Sequence, residues 1–168
     1  MSAPKTRSAR RYWLMKSEPE SFSFDDLFAA RKHRSGWDGV RNHQARNFMR
    51  DDMSVGDGVL FYHSSAEPPG VAGVARIARA AYPDPSQFDR RSEHFDAKSS
   101  KAAPTWLQVD VEAVAACPRF VPLAELRAEP ALAGMRLLQR GQRLSILPVS
   151  EPEWRAVLAL AGFAKDPS

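Results

Sequence analysis

The chain has little sulfur and no long apolar run. Its one cysteine, Cys117, stands alone in 168 residues. That excludes an internal disulfide framework and any cysteine-based zinc cluster, and the usage points to a reducing compartment. No stretch approaches the ~20 apolar residues of a membrane-crossing helix; the longest candidates, 71–81 and 154–163, are shorter and contain arginine. Phosphate-cradling motifs of the G-x-x-x-x-G-K-[ST] and G-x-G-x-x-G types are absent. So are a G-x-S-x-G nucleophile elbow and an H-E-x-x-H pair. His33, His43, His63 and His94 are scattered without metal-ligand spacing. The first eleven residues are basic and have no apolar stretch, so they do not read as a secretory signal. These absences leave no catalytic set, no metal and no cofactor in view, and a cytoplasmic setting is expected. The neighbourhood of Cys117, an alanine-rich strand end beside Pro118, suits a small buried apolar residue better than a nucleophile. Glu93-His94-Phe95-Asp96 reads as a polar loop rather than an acid–base set.

What is present is an ordinary globular composition, 43% hydrophobic and 26% charged, which excludes disorder as the main state. A chain of this length buries roughly 70% of its unfolded surface and needs no staples. Of 24 basic residues, Lys5, Arg7, Arg10 and Arg11 fall in the first eleven positions, and the remaining 20 balance 20 acids. The pI near 9.5 therefore belongs to a basic arm over 1–11, read as flexible. One further basic stretch runs through Arg31, Lys32, Arg34, Arg41, Arg46 and Arg50, against Asp38 alone. It suits phosphate contacts; a solvated surface segment is the alternative. Arginine outnumbers lysine and alanine is frequent, as in a GC-rich bacterial genome.

The pattern along the chain predicts a short strand over 12–16, a helix start at Ser23 with acids in its first turn, and a turn over 36–39. A helix capped by Asn42 follows to about residue 50, with Ala45, Phe48 and Met49 inward. Strands are predicted over 59–63, 71–80, 106–114 and 143–149, the third with the cleanest alternation. The segment 84–103 is polar and irregular, and 122–127 and 130–138 are short helical pieces. Ser150-Glu151-Pro152-Glu153 opens a last helix with a capping box; Trp154, Val157, Leu158 and Leu160 supply its buried side. Strands and helices do not alternate, which argues against a doubly wound sheet. A single mixed α+β domain around a curved sheet or small barrel is expected.

Aromatic residues recur beside polar ones at strand ends: Tyr12-Trp13-Leu14-Met15-Lys16-Ser17-Glu18-Pro19, Trp37-Asp38-Gly39-Val40-Arg41-Asn42, Phe61-Tyr62-His63-Ser64 and Ala81-Tyr82-Pro83-Asp84. A pocket for a flat polar ring needs an aromatic face and a few fixed donors and acceptors. Trp37, between Gly36 and Gly39, is the stacking candidate, since small neighbours admit a ligand to its ring. Ser17, Glu18, Asn42, His63 and Ser64 are candidates to read an edge. The alternative is that Trp13 and Trp37 are core residues and the polar groups are caps.

These segments resemble the EVE domain family, and the likeness continues through Val109-Asp110-Val111, Pro122-Leu123-Ala124-Glu125-Leu126 and Arg143-Leu144-Ser145-Ile146. It covers roughly residues 12–160, so a single EVE domain is expected over 12–163. The resemblance implies a PUA-like fold: a mixed β-barrel of about five to six strands with surrounding helices, related to the YTH readers. It also implies a non-enzymatic reader of modified bases, notably modified cytosines such as 5-methylcytosine in DNA, working through base extrusion. By similarity the pocket would hold Ser17, Glu18, Trp37, Val40, Asn42, His63 and Ser64, with Lys16, Arg41 and Asp84 as weaker candidates. Arg31, Lys32, Arg34, Arg46 and Arg50 would contact phosphates. His43 and Phe95 stand where the family pattern has tyrosine, which bears on specificity. The expected partner is DNA or RNA with a modified base, bound by a monomer and served by a separate effector protein. Two rivals remain. One is a hydrolase of a modified nucleoside, similar to ASCH-domain proteins, with Lys16, Glu18 and His63 as its acid–base set. The other is a small-molecule or protein-interaction module, which the neutral body charge keeps open.

Overall fold

The computed structural model describes residues 9–168. Its strands are β1 (Tyr12–Ser17), β2 (Arg34–Gly36), β3 (Gly58–His63), β4 (Gly70–Pro83), β5 (Leu107–Pro122) and β6 (Ile146–Val149). Its α-helices are α1 (Phe24–Ala29), α2 (His43–Asn47), α3 (Leu123–Ala128) and α4 (Glu151–Leu160). The strands form one mixed sheet in the order β2-β5-β4-β3-β1-β6. Only β1 and β3 run parallel; the other neighbours are antiparallel. The expected barrel does not close. Its two ends are the three-residue β2 and the four-residue β6, which contains Pro148. Strands that short, one with a missing amide donor, make sheet edges rather than a closing ladder.

The central strands read as unbroken apolar runs because both faces of the sheet are covered. Side chains alternate between the faces. Trp13, Met15, Val59 and Phe61 point to one core, where they meet Phe24 and Leu27 of α1, Ala45 of α2, Met49 and Trp37. Leu14, Leu60 and Tyr62 point to the other, against Leu126 of α3 and Trp154, Val157 and Leu158 of α4. The expected capping box of Ser150 with Glu153 is formed, and the helix start expected at Ser23 proves to be a second one, with Asp26. The Asn42 cap starts α2, which ends at Asn47; the chain continues as a π-helical turn over Phe48–Asp52. No helix among the described residues is long and apolar enough to cross a membrane.

Two expectations fell short. The strand predicted over 106–114 extends to Pro122, and the segment read as a turn at Gly36 is the end of β2, paired with Asp110. Register shifts explain the first. The β4–β5 ladder slips at four places, one of them between the Val71–Val121 and Gly73–Ala116 pairs. Pro118 falls in that gap, where no amide donor is required. The slips also pass β5 from one core to the other: Val109, Val111 and Ala113 join the first, Val121 the second. Near its start β5 places Gln108 beside Tyr82 of β4, a pairing the site below depends on.

The basic arm must be shortened. Residues 1–8, including Lys5 and Arg7, lie outside the described residues. Arg10 is fixed: its Nε donates to Gly56 O at 2.9 Å, and its guanidinium lies over the Tyr12 and Trp154 rings. Arg11 pairs with Asp52 at 3.2 Å.

Candidate functional site

A cavity of about 1050 Å³ opens at the C-terminal end of β1. Its wall comes from stretches far apart in sequence: Lys16 to Glu18 with Ser21 and Phe22, Ser35 to Gly39, then Pro85, Ser92 to His94, and Gln108. That volume is at the upper end of ordinary ligand pockets, about 300–1,000 Å³. Four expected site residues, Lys16, Ser17, Glu18 and Trp37, are brought together here.

Each has a distinct setting. Trp37 is only 7% exposed and packs edge-on to Phe61 at 5.3 Å between ring centroids, while its backbone N–H donates to Val109 O at 2.8 Å. It is thus a core residue and a cavity wall at once. The other three tryptophan indoles are tied to carboxylates: Trp13 to Asp57, Trp106 to Asp96 and Trp154 to Asp166, at 2.7–3.0 Å. Trp37 makes no such bond among the described residues. Lys16 is half-buried, and desolvation lowers its pKa below the usual ammonium value. The Ser17 hydroxyl donates to Phe22 O at 2.6 Å and so shapes the loop that follows β1. Glu18 is exposed and accepts from Ser65 Oγ at 3.4 Å.

The far wall hangs on Asp84, which is fully buried. It accepts from Gly39 N at 2.8 Å, from Arg41 Nη1 at 3.0 Å, and from the backbone and hydroxyl of Ser86 at 2.8 and 2.6 Å. Burial pushes its pKa up, but the Ser86, Gly39 and Arg41 hydrogen bonds outweigh that and hold it below the usual carboxylate range. Arg41 in turn donates to His94 O at 2.7 and 3.1 Å and to Ser86 Oγ at 3.1 Å, and it lies over the Trp106 ring. Gln87, also fully buried, donates to the carbonyls of Asp84 and Trp106 and accepts from Trp106 N and Ser99 Oγ. The segment that reads as polar and irregular is therefore a cross-braced wall. Asp84 and Arg41 position the cavity rather than line it.

The remaining expected residues lie elsewhere. Val40 is buried in the core. Asn42 spends its side-chain oxygen on Ala45 N at 3.0 Å, as the cap of α2. His63 Nε2 accepts from Phe24 N at 3.1 Å at the start of α1, and burial lowers its pKa. Ser64 donates its backbone N–H to Ser17 O at 3.0 Å. None of these four lines the cavity. Of the basic stretch, Arg34 pairs with Glu112, Arg50 with Asp51, and Arg46 donates to Thr105 O at 3.0 Å. Arg31 and Lys32 are exposed just before β2. His43 lies against Trp106 and Phe95 is 37% exposed; neither is in the cavity wall.

Sequence reasoning missed Gln108, Ser35 and His94 as wall residues. Gln108 alternates with apolar neighbours and so reads as solvent-facing, yet it is 5% exposed. The glycines beside Trp37 were available as a signal, but for a different close approach. A Cβ at Gly36 would lie 2.4 Å from Gln108 Nε2, and one at Gly39, where φ is +80°, 2.6 Å from the His94 ring. The protein's own side chains, Gln108 and His94, pack on these two glycines. Among the described residues no group of histidine, cysteine or carboxylate side chains is placed to hold a metal ion. Burial pushes the Cys117 thiol up to about 12, as for an inert, partly buried thiol.

Comparison with known proteins gives four findings. The family model described as the EVE domain matches residues 11–160. Human thymocyte nuclear protein 1 is 45% identical over 94% of this chain and 76% of its own length. A crystal structure of human THYN1 in complex with 5-methylcytosine-containing DNA superposes with a TM-score of 0.85 at 44% identity, covering 94% of this chain and 99% of that one. A YTH domain of Zygosaccharomyces rouxii, solved with N6-methyladenosine RNA, matches over 97% of this chain and 96% of its own at a TM-score of 0.55 and 13% identity, a likeness of fold alone. The fold is PUA-like, as the resemblance implied.

Two outcomes are expected. Asp84→Ala strands Arg41 and frees the Gly39 amide, and should cost about 3–5 kcal/mol in urea unfolding, with faster hydrogen exchange over 37–42 and 85–106. For His63, the unfolded side chain takes up a proton near its ordinary value of 6.5 while the folded one resists it. The unfolded state then binds more protons, so stability is full above that value and falls as pH drops toward the folded pKa. The urea midpoint should be lower at about pH 5.5 than at about pH 7.5. His63→Gln, which still accepts from Phe24 N, should remove that part of the difference.

Proposed function

The chain belongs to the EVE domain family, and on that premise we propose that it reads a modified base, a modified cytosine in DNA, without altering it. One observation carries the reading: a cavity walled by Trp37, Lys16, Ser17, Glu18 and Gln108, in a chain that superposes closely on a human protein crystallised with 5-methylcytosine DNA. A base inside a duplex cannot be enclosed, so it must leave the stack to enter. Trp37 would then offer the part of its ring that reaches the cavity, held by its edge-on packing with Phe61. Lys16 supplies donors, and Ser17 Oγ, Glu18 and Gln108 acceptors, for the base edge. Arg31 and Lys32 would meet the backbone phosphates, since they are exposed and lead through β2 into the cavity wall. Arg34, Arg46 and Arg50 already have partners within the chain and contribute by exchanging them. A separate effector protein and a monomeric reader complete the proposal.

The hydrolase reading is weaker on geometry. Its acid–base set needs Lys16, Glu18 and His63 together, but His63 is engaged with Phe24 N outside the cavity.

Fluorescence anisotropy against matched oligonucleotides, plain and modified, DNA and RNA, tests the reading at two salt concentrations. Affinity should fall with salt through the phosphate contacts. The preference for the modified base should persist, because base contacts specify and phosphate contacts position. A preference of about tenfold corresponds to 1.4 kcal/mol, and Trp37→Leu should abolish it. Equal binding to every oligonucleotide, vanishing with salt, would overturn the reading.

A further inference from the structure

Gln108 is the least expected wall residue, and its surroundings fix more than its position. It stands opposite Tyr82 across the β4–β5 ladder. Asp110, two residues on, shares its face of the strand. The Tyr82 hydroxyl donates to Asp110 Oδ1, and Gln108 Nε2 donates to the Tyr82 oxygen at 2.6 Å. The direction of these bonds follows from the proton inventory. An ionised carboxylate only accepts, a phenol has a single proton to give, and that proton goes to Asp110. The phenol oxygen can then only accept from Gln108, which must turn its NH₂ toward Tyr82. Burial and the Asp110 contact both raise the Tyr82 pKa and keep its hydroxyl protonated. The Arg79 guanidinium lies 3.6 Å from the centre of the Tyr82 ring and holds it in place. On the other side the amide packs on the Gly36 backbone, in space that a side chain there would need: a Cβ at Gly36 would lie 2.4 Å from Nε2. Gln108 Oε1 has no partner among the described residues, and Gln108 is 5% exposed in the cavity wall.

We propose that the Asp110–Tyr82 relay locks Gln108 as a hydrogen-bond acceptor that selects an amino-bearing base edge and rejects a carbonyl-bearing one. The proposal rests on the reading that the cavity takes a base. Its ligand class is a ring with an exocyclic amine, as in cytosine or adenine. The half-buried Lys16 ammonium supplies the complementary donor for a ring carbonyl. A methyl group adjacent to the amine leaves this logic intact. The relay would therefore separate 5-methylcytosine from thymine, which shares its 5-methyl group but carries oxygen in place of the amine. If the phenol of Tyr82 were absent, Gln108 could rotate and offer NH₂ to that oxygen instead.

The test uses oligonucleotides with one central 5-methylcytosine, thymine or abasic position, each opposite an abasic site so that no base pair must break. The wild type should bind 5-methylcytosine about tenfold more tightly than thymine, in line with the discrimination of one well-placed edge contact. Tyr82→Phe should shrink that ratio to about twofold, chiefly by tightening thymine binding as the amide is freed. Gln108→Leu should erase the ratio by weakening 5-methylcytosine, and it serves if Tyr82→Phe does not fold. Wild type that binds 5-methylcytosine and thymine alike, both above the abasic control, would overturn the relay and leave the reader intact. A full ratio retained in Tyr82→Phe or in Gln108→Leu would overturn it as well. No discrimination of any base from the abasic control would overturn the reader and the relay together.

Discussion

Asp84 is the constraint on which the site depends. A carboxylate with no solvent exposure is costly unless it is fully hydrogen-bonded and paired, and here it is both. Its bonds tie the loop that contains Trp37 to the loop that contains His94, through Gly39 N and Arg41. Without it the direct Arg41 bonds to His94 O and Ser86 Oγ would lose their buried counter-charge. The Gln87 amide repeats the device one turn on, joining Asp84 to Trp106. Loops that are polar throughout can form a rigid wall because nearly every buried polar atom has a partner.

The sheet explains why the cavity sits where it does. β1 and β3 are buried on both faces and form the rigid centre. β1 ends at Ser17, where the chain leaves the sheet, and the edge strand β2 is too short to cover that end. The opening lies between them, with Trp37 in its wall, packed edge-on against Phe61. The cavity is thus placed where the scaffold stops but remains braced. Gly36 and Gly39 let Gln108 and His94 pack directly on the backbone beside Trp37, which sets the depth of the wall.

Much of this was legible in the sequence, and the failures share a cause. Alternation, capping residues and the apolar runs at 13–15 and 59–62 report local physics, so every strand but β2 and the main helix starts could be read directly. Closure of the sheet depends on how its two ends meet, and no local pattern reports that. The length of β5 was hidden by Pro118, which is tolerated only because the ladder slips there. At the site, Lys16, Ser17, Glu18 and Trp37 came together, while Asn42 and His63 did not. A polar side chain that caps a helix and one that awaits a ligand look the same until its partner is known; Ala45 N and Phe24 N are those partners. Gln108 was passed over for the converse reason. Its burial comes from Tyr82 and Gly36, both distant in sequence.

The four tryptophans allow a direct test of the central claim, that the cavity receives a base against Trp37. Three indole N–H groups are bonded to Asp57, Asp96 and Asp166 within the fold, so their NMR signals should be insensitive to ligand. The measurement is a ¹⁵N-correlation titration of the indole region with an oligonucleotide containing 5-methylcytosine, and with its unmodified twin. The account predicts that the Trp37 signal alone moves, and only with the modified strand. A Trp37 signal that stays in place while backbone signals of the basic surface shift equally with both strands would contradict it.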